Sequence, residues 1–242
     1  MGKIINRWYI KTMWILISLA ATQCGHTQDT TVNKYGLWVI SIYSSYGATV
    51  KNDAGKKMVD LKKAIPGLAF DLRYAGKNNF TQTKLYPKLK TTYLRKPVAL
   101  ALAAVHSELK KQGLALQIFD AYRPYSITEK MWELVKDDRY AANPKNGSGH
   151  NRGIAVDLTI INLHTKDELD MGTDFDNFTD AAHHNFTVLP PQILQNRLLL
   201  KTLMEKNGFK ALETEWWHYS FANGAAYELL DVSFNELRKG RL

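Results

Sequence analysis

One aspartate, Asp157, stands inside a largely apolar run from Ile154 to Ile161. With Ile154, Val156, Leu158 and Ile160 around it, the run reads as a buried strand. A carboxylate in such a place is strongly unfavourable unless something compensates its charge. A metal cation, an arginine or a set of backbone N–H groups could each do so. The chain must fold so that one of these reaches the interior of a sheet. Seven residues upstream, His150 lies in Ser148-Gly149-His150-Asn151-Arg152-Gly153. On one straight strand His150 and Asp157 would face opposite sides. Gly153 offers a bend that could turn both toward one point.

Two further strand-like runs are Leu116 to Phe119 and Trp216 to Phe221. Three helices are signalled between the strands. Pro97 to Gln112 opens on proline, stops at Gly113 and carries one apolar stripe at Val98, Leu102, Val105 and Leu109. Ser126-Ile127-Thr128-Glu129 reads as a capping box opening a helix that buries Ile127, Met131 and Leu134. Pro191 to Asn207 is leucine-rich and ends at Gly208. Helices and strands do not alternate cleanly. The expected layout is α+β, a few strands with helices packed against them.

The chain has 242 residues, enough for one domain with a single core plus a leader. Hydrophobic residues make up 45% and charged residues 23%, which excludes a disordered or membrane-embedded chain. The leader, residues 1–24, reads as an export signal: Lys3, Arg7 and Lys11 precede an apolar stretch from Met13 to Ala21. The only cysteine, Cys24, follows that stretch, so no internal disulfide supports the fold. Its position suggests lipid attachment, although Gln23 just before it departs from the usual lipoprotein pattern. Secretion with cleavage nearby and an uncleaved anchor helix from about Trp8 to Cys24 are the alternatives. The expected location is outside the cytoplasm, periplasmic or lipid-anchored to the cell envelope. Residues 25–57 read as a loosely packed N-terminal extension, with the main domain running over 58–242. The net charge is +9, and no long Lys/Arg run or nucleic-acid motif accompanies it, so a solvated surface is the expected reading.

The second polar cluster is Glu215-Trp216-Trp217-His218. In a strand, residues three apart oppose each other. Glu215 is therefore expected in the loop or bulge entering the strand, with His218 inside it. Spacing alone does not single out a metal. Taken together, two histidines and one carboxylate give a three-ligand zinc site with a fourth position open for water, which zinc acidifies. Glu215 could then take the water proton and pass it to a leaving amine. Arg123, between a strand and a helix in Asp120-Ala121-Tyr122-Arg123-Pro124, could stabilise an oxyanion. Trp216 and Trp217 read as core or pocket wall, Glu213 as solvated, and His183 and His184 as structural. His26, His106 and His164 read as surface residues.

These blocks resemble the VanX-type zinc D-alanyl-D-alanine dipeptidases. The resemblance is carried by Ser148 to Thr159, Glu215 to Tyr219 and Tyr122 to Pro124. It extends to Phe70 to Tyr74, Asn79 to Thr81 and Met171 to Asp176. It implies a mixed α+β domain with one zinc ion per subunit on a central antiparallel sheet, flanked by helices. It implies His150, Asp157 and His218 as zinc ligands, Glu215 as catalytic base and acid, and Arg123 as transition-state stabiliser. Asp176 falls on the carboxylate that pairs with the substrate's ammonium. Ser148 and Tyr74 fall on pocket-lining positions, as does Tyr86 across a loop of different length. The implied partner is a small dipeptide, with a membrane contact through a lipidated Cys24 and no nucleic acid. The alternatives are a D,D-carboxypeptidase or endopeptidase acting on longer wall peptides, and an exported wall-binding lipoprotein without catalysis.

Overall fold

The structure, a computed structural model, describes residues 30–138 and 141–240. The leader, Cys24 and His26 lie outside these. The described residues open with β1 (Thr30–Val32), β2 (Trp38–Ile40), α1 (Tyr43–Asn52), β3 (Met58–Asp60), α2 (Leu61–Ala64) and β4 (Ala69–Phe70). Then follow β5 (Tyr93–Arg95), α3 (Lys96–Lys110), β6 (Leu114–Asp120), α4 (Tyr125–Leu134), α5 (Gly149–Arg152) and β7 (Ala155–Asn162). The last elements are α6 (Pro191–Lys206), β8 (Phe209–Leu212), β9 (Glu215–Phe221), β10 (Leu229–Leu230) and α7 (Phe234–Lys239). Among the described residues no helix is long and apolar enough to cross a membrane.

The central sheet has five strands in the order β4-β6-β7-β9-β8. Its pairings are antiparallel except at the two-residue edge strand β4, which runs parallel to β6. The expected α+β layout is the one found. In β7, Val156, Leu158 and Ile160 point to the face opposite Asp157, because side chains alternate along a strand. Helices α3 and α6 pack on the sheet and on each other. The stripe of α3 is fully buried at Val98, Leu102, Val105 and Leu109. It is wider than expected. His106 lies four residues after Leu102, shares that face, and is buried rather than exposed. Its Nδ1 accepts the Leu116 N–H at 3.3 Å, pinning α3 to β6. His164 is exposed, as expected.

Three other local expectations are corrected. Helix α4 begins at Tyr125, so Ser126 is already inside it and forms no capping box. The Ser126 N–H is satisfied from elsewhere, donating to Asp231 Oδ1 at 2.9 Å. Leu134, at the exposed end of α4, is not buried. The segment before Met58 is also tied in firmly. Strand β2 pairs with β1 on one side and with β10 on the other. Tyr46 is buried in the main core, and its hydroxyl accepts the Met58 N–H at 2.6 Å.

Arg95 is fully buried and joins three segments that approach the sheet from different parts of the chain. Its guanidinium donates to the carbonyls of Arg152 (2.8 Å), Lys56 (2.6 Å) and Glu228 (3.2 Å). The first of these carbonyls closes α5. Arg95→Ala would strand all three. It is expected to lower the unfolding free energy in urea by about 3 kcal/mol or more. A loss below about 0.5 kcal/mol would mean the network contributes little.

Candidate metal centre

Strand register brings the first polar groups together. Asp157 is the direct partner of His218 on β9 and of Asp120 on β6. Directly opposed residues on neighbouring strands share a face, so these three form one row across the sheet. His150 arrives by a different route. Ser148 and Asn151 form a reciprocal capping box: the Asn151 N–H donates to Ser148 Oγ at 3.3 Å and the Ser148 N–H to Asn151 Oδ1 at 2.9 Å. That box starts the single turn α5, and Gly153 ends it in the left-handed conformation at φ +70°. The bend at Gly153 thus turns His150 back over Asp157. A Cβ on Gly153 would meet the Met58 side chain at 2.7 Å, so the turn is confined sterically as well.

His150, Asp157 and His218 each present a donor atom, and these atoms all lie within 4.8 Å of one another. His218 Nδ1 is 2.9 Å from Asp157 Oδ1, and His150 Nε2 is 3.4 Å from Asp157 Oδ2. His150 Nε2 and His218 Nδ1 face each other at 3.3 Å. The second-nitrogen contacts decide whether this set fits a cation. His150 Nδ1 is 2.7 Å from the carbonyl of Ala121, which can only accept, so Nδ1 carries the proton and Nε2 turns a lone pair inward. His218 Nε2 is 3.2 Å from Ser220 Oγ, and its Nδ1 faces the same point from the opposite side of the ring. Two imidazole nitrogens facing a buried carboxylate are a donor set that suits a divalent cation. Burial pushes the Asp157 carboxyl upward, but the two imidazoles outweigh it and hold the group below the usual carboxylate range.

Glu215 opens β9 at an irregularity in its register with β8: Leu212 pairs with Glu215, whereas the adjacent Ala211 pairs with Tyr219. This bulge lets Glu215 and His218 reach the same cavity although they are three apart in a strand. Glu215 is thus the first residue of the strand, at a bulge, and its Oε2 is 3.9 Å from His218 Nδ1. Burial raises the pKa of its carboxyl group. Arg123 is buried, and its terminal nitrogen is 3.8 Å from Asp157 Oδ2. Asp120, which the sequence reading passed over, aims it. Both Nε (3.0 Å) and a terminal nitrogen (2.9 Å) of Arg123 donate to Asp120 Oδ2. Tyr86 donates to the other Asp120 oxygen at 2.8 Å. Tyr86 is buried behind Asp120 and does not line the cavity, contrary to expectation. Its link to the site runs through the arginine's partner.

The cavity in front of these groups measures about 280 Å³. Tyr74, Ser148, Asp176 and Trp217 form parts of its wall. Asp176 holds a positive φ of 61°, a conformation that Asp and Asn tolerate better than most residues. Its carboxylate accepts from the Tyr74 hydroxyl (3.0 Å) and the Phe80 N–H (3.1 Å) rather than capping a turn with Asn177. Burial pushes its pKa up to about 7 despite those bonds. Trp216 lies outside the cavity, and its indole donates to Thr173 Oγ1 at 2.8 Å. Glu213 is exposed. His184 packs its ring on Tyr219, away from the cavity, and neither it nor His183 belongs to a metal-capable cluster among the described residues.

Three converging donors, a half-buried carboxylate beside them and an aimed guanidinium are the parts of a metal-dependent hydrolase site. A family model described as D-Ala-D-Ala dipeptidase matches residues 54–237. Relatives named D-alanyl-D-alanine dipeptidase include one from Escherichia coli K12, 36% identical over 179 residues, covering 74% of this chain and 92% of that protein. Another, from Enterococcus faecalis V583, is 30% identical over 178 residues, covering 66% and 88%. A third, from Enterococcus faecium, is 29% identical over 181 residues, covering 66% and 88%. The chain belongs to the D-Ala-D-Ala dipeptidase family.

Two outcomes follow from this geometry. His150→Ala should lose the bound divalent cation in a metal-content assay after dialysis, whereas Glu215→Gln should keep it. Equal retention by both would remove His150 from the ligand set. For Asp176, a folded pKa of about 7 lies above the unfolded value of about 3.9. Between those values the unfolded chain has released a proton that the folded chain retains. This group's contribution is therefore complete below pH 4 and lost as pH rises through 7. Asp176→Asn, which keeps both hydrogen-bond partners within reach, should raise the melting temperature of the metal-free protein at pH 8 by roughly 3 °C or more. The gain should vanish toward pH 4. No gain at pH 8 would show that the charge is well solvated.

Proposed function

We propose that this chain hydrolyses D-alanyl-D-alanine to two molecules of D-alanine with zinc held by His150, Asp157 and His218. The supporting observation is that these side chains, Glu215 and Arg123 converge on one small cavity with Asp176 on its wall. When bound, zinc supplies a Lewis acid that acidifies water and polarises a carbonyl.

The protein's own groups carry the remaining steps. Glu215 takes a proton from the attacking water as the water oxygen bonds to the scissile carbonyl carbon. Arg123, fixed by Asp120, offers N–H groups to the negative charge that develops on the carbonyl oxygen. Glu215 then delivers its proton to the leaving nitrogen as the C–N bond breaks. Asp176 pairs with the dipeptide's free ammonium. Substrate binding would relieve the unfavourable charge that burial imposes on that carboxylate. Ser148 and Tyr74 border the same space. A cavity of about 280 Å³ favours a dipeptide over a longer wall peptide. The leader carries the enzyme out of the cytoplasm, either into the periplasm or onto the cell envelope through a lipidated Cys24.

The test is release of D-alanine by the zinc-loaded protein, followed beside a pentapeptide stem ending in the same two residues. The dipeptide should be cleaved and the pentapeptide left nearly intact. Preference for the pentapeptide would favour a D,D-carboxypeptidase, and inactivity on both at full zinc occupancy would contradict hydrolysis altogether. Glu215→Ala should lower kcat by about 10²–10⁴-fold while zinc stays bound. Near-normal turnover in that variant would require another base.

A further inference from the structure

Eight large apolar side chains stand exposed among the described residues, and three of them, Val32, Trp38 and Ile42, fall within one eleven-residue stretch. The other five are spread along the chain. Val32 and Trp38 are direct partners across β1 and β2, so their side chains share one face. Val32 is 50% exposed and Trp38 62%. Lys34, in the turn between the two strands, is exposed as well. Its ammonium sits 3.1 Å from Glu129 and 5.0 Å from the centre of the Tyr35 ring. Behind Trp38 opens a groove of about 690 Å³ with Lys56 and Arg152 among its polar walls. It shares no lining residue with the metal cavity.

This face follows the leader directly. Cys24 precedes Thr30, the first residue of β1, by six residues. Six residues reach about 20 Å when fully extended. A chain held at a bilayer through Cys24 or the apolar stretch before it therefore keeps the hairpin within that distance of the headgroups. We infer that the face formed by Val32 and Trp38, with exposed Ile42 close by in sequence, docks on the lipid bilayer, with Trp38 at the boundary between headgroups and acyl chains. Tryptophan suits that boundary because its ring is apolar and its N–H still meets water. A tether alone leaves a domain free to tumble, whereas a second contact holds it in one orientation. The inference rests on the leader reading and is independent of the substrate.

The test uses the full 242-residue chain with vesicles of phosphatidylethanolamine and phosphatidylglycerol, some carrying brominated acyl chains. Bromine quenches tryptophan only at close range. Wild type should lose more emission than Trp38→Phe, because the leader tryptophans Trp8 and Trp14 are common to both. Hydrogen exchange over residues 32–42 should slow on vesicles, and Val32→Ser combined with Trp38→Ser should remove the slowing. Equal quenching in wild type and Trp38→Phe, or hairpin exchange unchanged by vesicles, would overturn the inference. So would a chain that does not associate with vesicles. Dimerisation that these substitutions abolish, without any vesicle effect, would assign the face to a second copy instead. Hydrolysis of D-alanyl-D-alanine by the same samples should be unaffected by the substitutions. Its absence in every sample would count against the substrate and leave the docking result standing.

Discussion

A carboxylate shut away from water demands a compensating charge, and the central sheet is organised around one. Asp157 occupies the middle of a strand whose neighbours are all buried. What compensates it comes from three directions: an imidazole from the adjacent strand, another from a single helical turn, and a guanidinium from the loop after β6. Removing any one would leave charge or hydrogen-bonding capacity buried without a partner, which costs several kcal/mol rather than the fraction typical of surface pairs. This is why the surrounding backbone is so closely specified, down to a left-handed glycine at Gly153 and a capping box at Ser148.

Most of the site's accuracy comes from groups that take no part in the chemistry. The Ala121 carbonyl sets the tautomer of His150. Asp120, with Tyr86 behind it, holds Arg123 by two nitrogens, so the guanidinium is preorganised before substrate arrives. Asn151 donates to the Arg123 carbonyl and to Thr128, joining the turn that carries His150 to the segment that carries the arginine. Asp176 shows the converse. Its carboxylate is kept partly buried at a positive φ, a local arrangement that disfavours charge in the free protein and suits a cationic ligand.

The parts of this account that were legible in the sequence are those with local or strongly exceptional signals. Helices α3 and α6 announce themselves through a proline start and a glycine stop, and α3 adds an apolar stripe. Asp157 stands out because an acid inside an apolar run has few tolerable explanations. The bulge at Glu215 follows from asking how residues three apart in a strand can face one cavity. What escaped notice depends on partners distant along the chain. Asp231 caps α4 from more than a hundred residues away, so the apparent capping box at Ser126 misled. Tyr86 needed Asp120 to explain it, and His106 needed Leu116. The strands before Met58 are three residues long and β2 pairs with β10 near the far end of the chain, so no periodicity marks them.

The central claim is that the imidazoles of His150 and His218 and the carboxylate of Asp157 hold one divalent cation. X-ray absorption at the zinc edge of the zinc-loaded protein tests this most directly. The account predicts two imidazole nitrogens at about 2.0–2.1 Å and light oxygen scatterers completing the shell. A spectrum with a single imidazole, or with sulfur at about 2.3 Å, would contradict it.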